Sequence, residues 1–81
     1  MKAYDFEGKR NICGAKIREA RRKKGLTQED FAARMQLNGV MIERNVVSRM
    51  EAGIRFIPDF ELPVYAKVLG VSVNWLLSIE E

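Results

Sequence analysis

Four side chains in one short stretch, Arg44, Asn45, Ser48 and Arg49, have the heads and spacing to read the edges of nucleic-acid bases. Arginine places two parallel N–H bonds on guanine O6 and N7, and asparagine makes a two-point contact with adenine N6 and N7. Such contacts need a rigid support, so part of the same segment must be buried while the polar heads stay in water. Val47 and Met50 supply an inward pair at helical spacing. Upstream, Gln28 stands at the start of another helical segment, where free backbone amides and the positive end of the helix dipole favour a phosphate. The bland reading of these polar residues is the wet face of any helix, and the segment alone leaves both open.

Other chemistry finds little to work with. The chain has no histidine, which removes the commonest general base and metal ligand. Its one cysteine, Cys13, permits no intrachain disulfide and reads as a small buried or half-buried hydrophobe in a reducing compartment. Glu29 with Asp30, and Asp59 with Glu61, resemble carboxylate pairs for a cation. Each falls in the first turn of an expected helix, where capping and dipole roles suffice. There is no glycine-rich phosphate loop. The expectation is no enzyme, no metal and no cofactor.

The net charge of +3 is unevenly spread: residues 1–25 carry nine Lys/Arg against three Asp/Glu, and residues 26–81 five against eight. This asymmetry favours a polyanionic partner for one surface. With 81 residues the chain makes one domain. It carries neither a signal-peptide pattern nor an apolar run long enough for a membrane span, so the expected location is cytoplasmic.

The elements that must position these groups follow from periodicity and punctuation. Residues 1–10 read as an N-terminal arm and 11–81 as the domain. A first helix is expected over 11–24, with Asn11 as N-cap, Ile12, Ala15, Ile17 and Ala20 as its apolar pattern, and Gly25 just past its end. Thr27 caps the second helix, with Asp30 in place of the Glu or Gln that a capping box prefers, and Phe31, Ala32 and Met35 inside. Asn38-Gly39 is a turn; a hairpin is rejected because neither flank alternates with period two. Helix resumes at about 43–52, stopped by Gly53. Asp59 is the expected cap of a fourth helix with Pro63 in its first turn and Leu62, Tyr65, Ala66 and Leu69 buried. Ser72 or Asn74 caps a last short helix with Trp75, Leu76, Leu77 and Ile79. The sum is an all-α domain of five helices.

Ile17-Arg18-Glu19-Ala20-Arg21, Lys24-Gly25-Leu26-Thr27-Gln28-Glu29-Asp30-Phe31-Ala32, the segment Val47-Ser48-Arg49-Met50-Glu51-Ala52-Gly53-Ile54-Arg55, and the run from Tyr65 to Leu77 together resemble the phage-repressor-like (Cro/repressor type, XRE) helix-turn-helix family. The resemblance implies a five-helix lambda-repressor-like fold and sequence-specific binding of double-stranded DNA; repression is the expected sign, because a domain of this size has little surface for recruiting a polymerase. By the same resemblance Gln28 grips the phosphate backbone, Arg44, Asn45 and Arg49 read bases beside Ser48, and Val46 touches a thymine methyl. Arg55 meets phosphate, and Arg21 with Glu51 forms an ion pair between the first and recognition helices. The chain departs from the usual form in a longer connection over residues 37–43, which either touches the DNA backbone or fills a gap in the core with Val40, Met41 and Ile42; packing is the favoured outcome.

A homodimer on near-symmetric half-sites is implied, joined through Trp75, Leu76 and Ile79, through the arm at Tyr4 and Phe6, or only on DNA. The alternatives are an antitoxin or phage-immunity regulator that also binds a protein, and an interaction module that has lost DNA binding. The first predicts a long extra segment; the second predicts neutral or acidic residues where Arg44, Asn45 and Arg49 stand.

Overall fold

The computed structural model describes residues 6–79. Five helices follow in order: α1 (Gly14–Lys23), α2 (Gln28–Leu37), α3 (Arg44–Glu51), α4 (Leu62–Leu69) and α5 (Val73–Leu76), with a 3₁₀ turn, Asp59–Glu61, leading into α4. No strand occurs among the described residues beyond a single bridge between Phe6 and Lys9. All five helices meet in one core built on Ile17, Phe31, Met35, Val47, Met50, Tyr65 and Leu76. The rings of Phe31 and Tyr65 lie 6.0 Å apart and tilted, joining α2 to α4.

The α1 start differs from the sequence expectation. The helix opens at Gly14, and Asn11 caps it from outside, its Oδ1 accepting the Gly14 N–H at 2.8 Å. Ile12 and Ala15 face water; the inward face is Cys13, Ile17, Ala20 and Arg21. The reason is the close approach of α3. A Cβ on Gly14 would collide with the Met50 carbonyl oxygen, so the α1 face that meets α3 is centred on Gly14 and Ile17. Burial pushes the Cys13 thiol up, keeping it a neutral hydrophobe.

α2 begins as expected but with a complete box. The Thr27 hydroxyl accepts the Asp30 N–H at 3.0 Å and Asp30 Oδ2 accepts the Thr27 N–H at 3.0 Å, so aspartate reaches far enough. Asn38 and Gly39 (φ +87°) end the helix without a hairpin. The long connection packs in part: Ile42 is buried and Val40 leans on the core, while Met41 stands in water.

Asp59 does not cap α4: it opens the 3₁₀ turn behind Pro58, and Glu61 stands at the N-cap position of α4 without a side-chain cap bond. Pro63 sits in the first turn of α4, and Gly70 (φ +70°) closes that helix in the left-handed region. The Ser72 hydroxyl caps the four-residue α5 by accepting the Trp75 N–H at 2.9 Å. Ile79 lies beyond that helix, and Leu76, an expected interface residue, is fully buried. Of the expected arm, residues 6–10 form a tight turn, and the Arg10 N–H donates to the Gly53 carbonyl at 2.8 Å. Tyr4 lies outside the described residues.

Candidate nucleic-acid interface

α3 is eight residues long and divides cleanly. Val47 and Met50 are fully buried, while Arg44, Asn45, Ser48 and Arg49 are exposed. The division follows from helical spacing, with the two inward residues on one side and the four polar heads on the other. Val46 falls on the inner half of that wheel and is half-buried against the core, leaving only one edge for a ligand. Glu43 flanks the helix in extended backbone and its carboxylate does not cap; within the first turn the Val46 N–H donates to the Glu43 carbonyl at 3.0 Å. An open cleft runs between α2 and this end of α3, bordered by Ala33 and Gln36 on one side and Glu43, Arg44 and Asn45 on the other.

The back of α3 is locked. Arg21 donates to Glu51 twice, Nε to Oε2 at 2.6 Å and Nη2 to Oε1 at 3.0 Å, and its Nη1 donates to the Leu26 carbonyl at 2.8 Å. The two side chains are 8% and 4% exposed, so this is a sealed bidentate pair. Its hydrogen bonding to Glu51 holds the Arg21 guanidinium above the usual arginine range against the opposing effect of burial. Gln28 Nε2 donates to Glu51 Oε1 at 3.1 Å. One carboxylate therefore gathers α1, the start of α2 and the end of α3. Gln28 has a second amide hydrogen and its backbone N–H left to offer a phosphate.

Arg55, which the resemblance sets against phosphate, has partners within the fold. Its Nη1 lies 3.6 Å from Glu61 Oε1 and donates to the Phe56 carbonyl at 3.3 Å. The same Glu61 oxygen accepts the Tyr65 hydroxyl at 2.6 Å. Burial, then that hydrogen bond, raises Tyr65 well above the usual tyrosine range and keeps it a donor.

Three residues hold the site in roles that the sequence reading did not give them. Asn11 Nδ2 donates to the Met50 and Arg55 carbonyls at 3.0 and 2.9 Å, tying the end of α3 to the loop after it. Gln36 Nε2 donates to the Ile42 carbonyl at 2.8 Å, bracing the approach to α3. Glu61 holds Arg55. None carries a local motif; Asn11 had a signal, but only as a helix cap. Every buried side-chain nitrogen and oxygen among the described residues has a partner.

The basic first helix does not present one continuous stripe. Arg21 points inward, Lys16 Nζ sits 4.6 Å from the centre of the Trp75 ring, and the Lys24 stem crosses Gly70. Lys23 pairs with Glu19 at 3.7 Å on the surface. Among the described residues no three His, Cys, Asp or Glu side chains converge as a metal site would require, and no helix is long and apolar enough to cross a membrane.

A family model described as helix-turn-helix matches residues 17–76, from the middle of α1 to the end of α5. A search among curated proteins found no match. The match covers most of the chain and every helix that builds or braces the site; the protein belongs to the XRE-type helix-turn-helix family of DNA-binding regulators.

Proposed function

We propose that this protein is a sequence-specific transcriptional regulator that places α3 in the major groove of double-stranded DNA and acts by repression. The observation that carries this reading is the division of α3, two fully buried apolar residues beneath Arg44, Asn45, Ser48 and Arg49. Arg44 and Asn45 lie in the first turn, Ser48 and Arg49 one turn on, which spreads base contacts along the groove. The open amides at the start of α2, with Gln28, suit a phosphate. Arg55 serves a second phosphate by exchanging Glu61 for it. The cytoplasm is the matching compartment.

A homodimer on two half-sites completes the reading. With Leu76 buried and Trp75 covered by Lys16, the exposed apolar residues of the loop after α3, Ile54 and Phe60, join Ile79 and Phe6 as contact candidates. Apolar side chains left in water beside a polar surface are commonly covered by protein. The same loop is the observation that favours a second reading, a regulator that also binds a protein, as an antitoxin or phage-immunity regulator does.

Selection of bound duplexes from random DNA at a stated salt concentration tests the function. The expected result is a paired half-site with spacing near one helical turn. Uniform retention of all sequences would contradict base reading, and no retention would favour the protein-interaction module.

A further inference from the structure

The connection between α2 and α3 carries an exposed methionine, Met41, between two neighbours whose backbones are bonded. Val40 N–H donates to the Met35 carbonyl at 3.0 Å, and Ile42 N–H donates back to the Val40 carbonyl at 3.0 Å. That second bond spans only two residues and makes Met41 the apex of a γ-type turn. Gln36 fixes the far side by its bond to the Ile42 carbonyl at 2.8 Å. Burial alternates along the segment: Val40 and Ile42 lean inward, Met41 and Glu43 outward. A loose loop could fold a methionine over nearby apolar surface. This one is bonded on both sides, and Met41 remains 75% exposed.

Met41 and Glu43 are both exposed, three residues and one residue ahead of Arg44, and Glu43 borders the cleft with Arg44 and Asn45. Leu37, also exposed, lies instead beside Lys67 and Val68 of α4. Beside the first turn of a helix that enters the major groove, the apolar feature on offer is the C5-methyl of thymine. A flexible thioether side chain fits such a small target without strict geometry.

We propose that Met41 is a specificity-determining residue that packs on a thymine methyl flanking the bases read by Arg44 and Asn45. The inference rests on the DNA-binding function proposed above. It would make the long connection part of the reading surface and not only a spacer.

The test uses the half-site selected by the full chain, with each thymidine replaced singly by deoxyuridine. That change removes the methyl and keeps every hydrogen-bonding group. At one position the replacement should weaken the wild-type protein about fourfold, the effect of burying roughly one methyl. At the same position it should leave Met41→Ala and Met41→Gln unaffected. Both variants should keep the wild-type circular dichroism and melting temperature, because the side chain is exposed. Equal sensitivity of wild type and variants at every thymidine would overturn the proposal, as would undiminished binding of the unmodified site by Met41→Ala. Failure of the wild type to select any sequence would overturn this inference together with the regulator reading. A selected half-site that depends on Arg44 or Asn45 but is indifferent to Met41 would overturn this inference alone.

Discussion

Arg21 and Arg55 each meet a carboxylate beside α3, but the first pair is sealed and the second stands partly open to water. Arg21 makes two short bonds to Glu51 and a third to a carbonyl, with both side chains under one tenth exposed. Arg55 reaches Glu61 at 3.6 Å with its side chain 31% exposed. A sealed pair that loses one partner strands a charge in the core, so it behaves as a lock. A partly open pair gains little from its own attraction and can exchange its carboxylate for a phosphate at small cost. The same residue types thus serve as scaffold on one side of α3 and as a candidate contact on the other. Burial makes the difference.

Glu51→Ala should have the largest effect. It strands Arg21 and removes the acceptor of Gln28, and a loss of about 3–5 kcal/mol is expected in denaturant unfolding. Glu43→Ala, on the exposed flank of α3, should scarcely move the same curve. Similar midpoints for the two variants would mean that the pair is not a lock.

Asn45→Ala probes the opposite face. Binding should weaken by roughly 1–3 kcal/mol on the selected site, with specificity relaxed at one base pair and the melting temperature kept. Equal losses on all sequences would remove Asn45 from base reading.

Arg55→Ala sharpens the comparison directly. Stability should fall by no more than about 1 kcal/mol, as for a partly exposed pair. Affinity should drop evenly across sequences, and the slope of log K against log salt should flatten by about 1. A salt dependence identical to that of the wild type would leave Arg55 with Glu61 in the complex.

The smallest effect concerns an exposed cap. The Thr27 backbone N–H, then its hydroxyl, holds the Asp30 carboxyl below the usual aspartate range. A carboxyl depressed by folding contributes stability above its unfolded pKa of about 3.9 and loses it as pH falls through the folded value. The difference in melting temperature between wild type and Asp30→Ala should therefore be full at neutral pH and shrink on acidification below about pH 4. A difference that persists unchanged in acid would assign the cap to the uncharged side chain.

The helices were legible in the sequence wherever local chemistry specifies them. Thr27 with Asp30 begins α2 through a bond across three residues, and Gly53 and Gly70 end α3 and α4 because their backbones turn left-handed there. Val47 and Met50 mark the inner face of α3 by spacing alone. On α1 the sequence reading held for Ile17 and Ala20, which are buried, but not for Ile12 and Ala15, which face water beside the close packing of α3 on Gly14.

What the sequence determined by itself was therefore an all-helical chain, the order of its elements and the residue types offered on α3, since each depends on neighbours within a turn or two. Only the tertiary structure decided the fate of individual charges. Arg21 and Arg55 are the same residue, and their partners lie 30 and 6 positions away in the chain. No local pattern announces that one is enclosed by α1, α2 and α3 while the other borders water. The long connection divides in the same way: Ile42 enters the core and Met41 is held out of it by bonds to Met35 and Gln36 that only the folded backbone brings together. Burial is a property of the assembled helices, and burial sets what an arginine or a methionine can do.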